Sequence, residues 1–382
     1  MMLVNRDKFK ALGVTATVVF ESSAVNRDEK IAESIQSIKK LGRRDGTYSF
    51  MSRAFIRHHM FVALRDLYGW QPAPVTKDGD VLQFDFPEAN IVSYPELDLF
   101  GFMRTNPFTV TRKAPLGVTK AISLEPWQGD MAFYANHDLV ARAVRRGTKA
   151  NPNPFSKEEH YSLYRISYTL DLCRFGQQEV IAGADDPSIN DWLGRLTKAS
   201  ASEVGERVER LELEDGWEWY AIPLSQSVAS SAISAGRKVC DPPGYVGVKS
   251  AKDEGCRLLF VVADEEYRKR LEQVLNIIAA GFSLHSSTES YGTNPQFCVM
   301  AALRVPVPVF HPAIGFADGE ISADLLARAR KNSHIIRAWY ESLLPLSEEL
   351  KEGDFIRGID AGEIAEFVYP AEKKDGSGEA GA

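Results

Sequence analysis

Two stretches of this sequence carry residue types suited to gripping a phosphate chain. Ser49, Ser52, Arg53 and Arg57 fall where a helix is expected to begin. A helix start offers N–H groups without intrahelical partners and the positive end of the macrodipole. Hydroxyl and guanidinium groups on the same turn add to that attraction. Lys39, Lys40, Arg43 and Arg44 precede it on a glycine-containing loop. The second stretch is Gly281 followed by Ser283, Ser286 and Ser287, directly after another expected helix. A glycine lets backbone approach a sugar–phosphate chain closely, and hydroxyls supply donors. The plainer readings are a capped helix with surface arginines and an ordinary loop.

Other chemistry finds little support. The sequence lacks G-x-x-x-x-G-K-[ST], H-E-x-x-H and G-x-S-x-G, and has no G-x-G-x-x-G after a strand. Cys173, Cys240, Cys256 and Cys298 are scattered, so reduced structural thiols are expected rather than a zinc ribbon or a redox pair. His58 and His59 are adjacent and would point apart on a helix. Asp185–Asp186 and Glu348–Glu349 are sequence neighbours that diverge in space. Asp130, His137 and a serine make a trio that any long chain contains by chance. No catalytic residue, metal site or cofactor is therefore assigned.

Charge placement favours the first theme. The 382 residues carry a formal net charge of −7, which alone argues against a polyanionic partner. From Glu341 onward there are four basic and eleven acidic residues, so everything before that is neutral. Within the neutral part, Ser37 to Arg65 holds seven basic residues against Asp45 alone. Arg104 to Lys149 holds eight against three acids, among them Arg112, Lys113 and Lys120. Two basic stretches on a neutral body suit a phosphate backbone. The acidic end reads as a solvated, partly frayed tail. Apolar runs such as Leu258 to Ala263 are far short of the ~20 residues a membrane span needs. The charged start, Arg6 to Lys10, lacks the apolar core of a signal peptide, so a cytoplasmic protein without a membrane partner is expected.

The elements that would position these residues follow from periodicity. Leu12 to Phe20, Tyr161 to Cys173, Arg257 to Ala263 and Gln296 to Leu303 read as strands. Ser52 to Tyr68 reads as a helix with Ile56, Met60, Ala63, Leu64 and Leu67 inward and Gly69 as its stop. Glu265 to Ala280 and Ser322 to Leu344 are two more expected helices, while 109–112 and 118–124 are weak strands. The order suggests an α+β fold of ferredoxin-like or RNA-recognition-motif plan, β-α-β twice. Residues 1–70, 157–184 and 255–345 would form this palm. Two insertions, 71–156 and 185–254, would interrupt it, and 346–382 would be the acidic tail.

On these residues the sequence resembles a known family, the CRISPR-associated backbone subunits of type I Cascade complexes, of the DevR or Cst type found in type I-B systems. The features are the first strand leading to Ser22-Ser23-Ala24-Val25-Asn26-Arg27-Asp28, then Lys39-Lys40-Leu41, then Tyr48 to Arg57. Asp98-Leu99-Phe100-Gly101-Phe102-Met103, Thr111-Arg112-Lys113-Ala114-Pro115-Leu116, Ala121-Ile122-Ser123-Leu124, the strand around Asp171 and the loop at Gly281 follow in order. The resemblance implies a palm with helical fingers and a hairpin thumb, and copies stacked as a filament along a guide crRNA. Protein would hold the backbone while base pairing with target DNA supplies specificity. Implied partners are the crRNA, target DNA through the guide, further copies of the chain, the large and end-cap subunits, and a recruited helicase-nuclease or transposition adaptor.

The resemblance places guide contacts on Lys39, Lys40, Ser49, Ser52, Arg53, Arg57, Gly281, Ser286 and Ser287, with Arg43 on the same basic loop and Arg112, Lys113 and Lys120 from an insertion. Many relatives have a glutamine after the serines, where this chain has Met51 and Arg53 around Ser52. The thumb is either 104–125 or 200–250, the latter favoured by its Ser/Ala run and Pro242-Pro243-Gly244 turn. Type III relatives cut RNA with a loop aspartate, for which Asp28 and Asp45 are candidates without a visible partner, and no nuclease activity is expected. Two other readings stand beside the non-enzymatic one: an RNA-processing nuclease on the same fold, and a guide-independent DNA-binding regulator.

Overall fold

A computed structural model describes residues 6–32, 35–182, 187–203, 217–224, 242–251, 255–286 and 289–371. Its centre is a mixed sheet whose strands run, in spatial order, Ile356–Arg357, Ile335–Ser342, Pro295–Leu303, Gly13–Ser23, Tyr161–Asp171, Ala121–Ser123, Gly46–Met51 and Lys40–Arg43. Leu116–Val118 also pairs with Tyr161–Asp171, ahead of Ala121–Ser123 on the same flank. Gly13–Ser23 lies between Pro295–Leu303 and Tyr161–Asp171, antiparallel to both. This is the strand arrangement of a ferredoxin-like sheet, inside an α+β chain.

The missing fourth strand is supplied from an unexpected place. The short pieces Leu116–Val118 and Ala121–Ser123, inside the stretch read as an insertion, complete the sheet. Gly255–Val262, expected in the palm, instead pairs with Gln177–Ala182 and Gly244–Ala251, and Glu218–Ile222 completes that separate four-stranded sheet. Apolar composition alone does not tell which of two sheets a buried strand joins.

Seven helices occur among the described residues: α1 (Arg53–Tyr68), α2 (Pro95–Phe100), α3 (His137–Arg145), α4 (Pro187–Glu203), α5 (Asp264–Ala280), α6 (Ala323–Arg330) and α7 (Ala361–Val368). Helices α1 and α5 belong to the same core as one face of the sheet, with Ile56, Met60, Leu64, Leu271, Val274 and Leu275 joining Tyr164, Ile166 and Tyr168. Each such side chain contributes roughly 1.5–3 kcal/mol by leaving water. Leu67, expected inward, is exposed. A second core on the other face joins Val299, Ala301 and Val19 to Phe310, Ile314, Ile321 and Leu326.

Two expectations at the C-terminal end are corrected. The helix expected over Ser322 to Leu344 stops at Arg330, and Ile335–Ser342 is a strand. Its β-branched and aromatic residues favour the pleated form. The acidic end does not fray over the part described. Ile364, Val368 and Tyr369 are fully buried, and α7 carries Asp360 as its N-cap. An apolar stripe under the charges anchors it, which a count of charges misses.

Within 71–156, short strands outnumber the helices. This stretch is pinned to the palm by a buried charge network. Asp98 accepts from Arg112, from Arg270 at 3.3 Å and from the Gly176 N–H at 2.9 Å. Arg270 also donates to Glu266 and to the carbonyls of Ile91 and Val92. Burial opposes the Glu266 charge, but Arg270 and Lys269 hold its carboxyl below the usual value. The favoured thumb, 200–250, lies largely outside the described residues.

Candidate nucleic-acid interface

The basic loop is in fact a β-hairpin, Lys40–Arg43 paired with Gly46–Met51 in register Leu41 to Tyr48. Strand alternation then decides which neighbours face where. Ser49 and Met51 turn to the helix-covered core; Tyr48 and Phe50 turn to the other face. The Ser49 hydroxyl is fully buried, 2.7 Å from His160 Nδ1 and 2.6 Å from the Tyr164 hydroxyl. Ser49 is therefore a core residue and not a ligand contact.

The opposite face carries two cation–aromatic pairs. The Arg43 guanidinium lies 4.9 Å from the Tyr48 ring centroid, and Lys120 Nζ lies 4.3 Å from that of Phe50. Tyr48 in turn donates to Asp45 at 2.9 Å, a bond that raises its pKa. Phe50, Ile122 and Arg165 follow one another across three strands. Along the last strand, Ser167 and Thr169 continue the face into an open cleft of about 330 Å³, whose wall includes Lys113, Thr119 and Pro306. Arg43, Lys120 and Lys113 are thus brought to one sheet face. Aromatic surface beneath exposed cations is what sequence-tolerant single-strand binding uses.

His311 lies beside the same strand, Tyr161–Asp171. Its Nδ1 sits 2.9 Å from the Ser167 hydroxyl. Burial, with Arg165 and Arg43 adding repulsion, pushes its pKa down to about 4. Arg165 is itself lowered by burial and by Arg43.

The helix start is built as expected. Ser52 is the N-cap, accepting from the Phe55 N–H at 3.2 Å, and its own N–H donates to Asn26 at 2.8 Å. Arg53 is exposed on the first turn, and Gly69 ends the helix with φ 74°. The two sequence-distant patches do touch: His59 on α1 meets His285 in the hairpin Ser283–Ser286 with Glu289–Gly292.

The charge expected at that seam is largely spent on carboxylates. Arg27 bridges Glu159 and Glu289, and Lys157 also reaches Glu289. Lys39 pairs with Asp28 at 2.7 Å; Lys40 pairs with Glu158 at 2.6 Å and lies 3.9 Å from the Trp127 ring. Although burial opposes its charge, Glu158 is held below the usual carboxylate range by Lys40, Ser37 and the Ile38 N–H.

Three more expected contacts have structural duties. Arg57 turns to the Phe100 carbonyl at 2.8 Å and the Phe100 ring. Arg112 is buried, donating to Asp98 and to the carbonyls of Gln177 and Arg174. Gly281 ends α5 with φ 81°, and a Cβ there would stand 2.8 Å from the backbone of Thr293 and Asn294. Its freedom serves a close approach of protein to protein. Ser286 is half-buried in the hairpin, and Ser287 lies outside the described residues. Among the described residues no three His, Cys, Asp or Glu side chains are arranged to hold a metal ion. None of their helices is long and apolar enough to cross a membrane.

Residues 14–323 match the family described as CRISPR-associated negative auto-regulator DevR/Csa2. The chain belongs to that family. Among solved structures, this DevR/Csa2-family chain is similar to a chain of a "CRISPR RNA-guided surveillance complex, pre-nicking", with 10% identity, a TM-score of 0.48, and coverage of 94% of this chain and 99% of that chain. A chain of a "CRISPR RNA-guided surveillance complex" gives the same identity and score, covering 94% and 98%. No curated protein matches the sequence.

Within this DevR/Csa2-family chain, the sequence reading missed Tyr48, Phe50 and Arg165. Tyr48 and Phe50 alternate with Ser49, so a strand assignment for 46–51 would have put both on the face opposite it, Tyr48 buried and Phe50 half-buried. Arg165 was visible on the polar side of the strand Tyr161–Asp171, but nothing in the sequence placed Arg43 beside it.

Proposed function

We propose that this chain is a non-catalytic, guide-RNA-binding subunit of a CRISPR surveillance complex, repeating along the crRNA and presenting it for pairing with target DNA. The observation that carries the reading is the face on which Arg43 covers Tyr48 and Lys120 covers Phe50, in a chain of a CRISPR-associated family. Such a face holds phosphates by charge and offers the half-buried Phe50 ring for stacking, while Tyr48 is buried beneath Arg43, and it needs no hydrogen bonds that read sequence. The finer reading is a type I-B backbone subunit in the cytoplasm, with large and end-cap subunits and a helicase-nuclease or transposition adaptor as partners.

Sequencing the nucleic acid that co-purifies with the protein tests this directly. Uniform repeat–spacer RNAs are expected, and a random RNA population would defeat the reading. The nuclease alternative predicts cleavage of labelled RNA or single-stranded DNA by the purified protein with magnesium.

A second reading has one observation in its favour, since the family's description names a negative auto-regulator. It predicts that duplex DNA outcompetes RNA in a competition gel, whereas guide binding predicts the reverse.

A further inference from the structure

Helix α3 has no buried residue. Leu139, Val140, Ala143 and Val144 fall at i, i+1, i+4 and i+5, so they share one face. Leu139 and Val144 are 57% and 59% exposed, and the nearby strand Met131–Tyr134 leaves Phe133 70% exposed. A nine-residue helix is below the length that holds by itself in water, about 12–15 residues. Exposed apolar surface of this kind marks a place where something docks. Around the apolar stripe the charge is positive, from Arg142, Arg145, Arg146 and Lys149 against Asp138.

The same chain carries a complementary shape. A cleft of about 550 Å³ at 340–357 has Leu344, Leu346 and Phe355 among its lining and Glu348, Glu349 and Glu352 around them. A polar cleft with apolar side chains in its wall, and with three carboxylates against the one guanidinium of Arg357, suits a short basic helix with an apolar stripe. It would repel nucleic acid.

We propose that α3 of one copy seats in the acidic cleft of a second copy. The mating surfaces differ, so the contact is head-to-tail, and a row of joined copies always leaves one helix free at one end and one cleft free at the other for the next copy. The proposal rests on the reading that copies repeat along a guide, and it names the surfaces that join them. A phosphate chain as the occupant of α3 would use the arginines but leave the apolar stripe wet.

The test uses two full-length variants, R142E/R145E/R146E and E348K/E349K/E352K. Sedimentation on RNA long enough for many copies reads assembly; fluorescence anisotropy on an RNA sized for one copy reads guide binding. Each variant alone is expected to assemble at least about tenfold more weakly while its short-RNA affinity stays within about twofold. An equimolar mixture is expected to assemble again, because each reversed helix then meets a reversed cleft. Unchanged assembly by either variant, or no recovery on mixing, overturns the docking with RNA binding intact. Loss of short-RNA binding by the helix variant also overturns it, and assigns α3 to the nucleic acid. A wild-type chain that binds neither RNA defeats the functional reading instead, and the mixture without RNA then judges the docking.

Discussion

His59 on α1 accepts a hydrogen bond from the backbone N–H of His285 at 3.0 Å, while its other ring nitrogen donates to the Phe55 carbonyl at 3.0 Å. One imidazole thereby fastens the first helix to a hairpin 226 residues away. Both nitrogens are occupied, so the ring is fixed in orientation.

Replacing it breaks that fastening. His59→Phe keeps a planar ring but leaves the His285 N–H without an acceptor, at a cost of about 1–3 kcal/mol. Urea denaturation should show that loss, and amide hydrogen exchange should speed up at 283–286 more than in the central strands.

Arg43→Ala and Lys120→Ala should each weaken RNA binding uniformly across guide sequences. Each should also flatten the slope of log affinity against log salt by roughly one unit. Lys39→Ala should do less, because Lys39 is committed to Asp28. Titrations at three salt concentrations separate these cases.

Arg112 behaves otherwise. Arg112→Ala would leave the buried Asp98 with Arg270 and the Gly176 N–H but without Arg112, and the carbonyls of Gln177 and Arg174 without this donor, and should cost about 1–3 kcal/mol of stability. Thermal melts should therefore report a destabilised protein, with any RNA defect following from unfolding rather than a lost phosphate contact.

Acidity should weaken the fold through His311. The unfolded chain takes up this proton near the ordinary value of 6.5, whereas the folded protein resists it down to about 4. Between those values the unfolded state binds more protons, so stability falls as pH drops through this window. His311→Asn should shrink the difference in denaturation midpoint between pH 7 and pH 5.

Much of the frame was legible in the sequence because its elements are long and periodic. The strand Tyr161–Asp171 alternates cleanly, and α1 announces itself through Ser52 and Gly69. What failed was local. Leu116–Val118 and Ala121–Ser123 span three residues each, so 118–124 registered only as a weak strand inside an insertion, and nothing in so short a pattern says that these pieces complete the central sheet. The candidate site suffered from a different confusion. Arg112, Arg57 and Arg43 are one residue type, but the first two have protein carbonyls or carboxylates as partners, and only packing reveals which guanidinium is spoken for. Lys39 and Lys40 mislead similarly, since Asp28 and Glu158 are far enough along the chain to escape a local charge count.

The strand Lys40–Arg43 lies at the rim of the sheet, with no strand beyond it among the described residues. Unclosed rims of this sort invite pairing with stray polypeptide, and positive side chains there discourage it. Lys40, Arg43 and the neighbouring Arg44 therefore have a second duty, keeping the protein from clumping. A variant with all three neutralised that comes out of solution is reporting the loss of that guard, and its silence in a binding assay says nothing about nucleic acid.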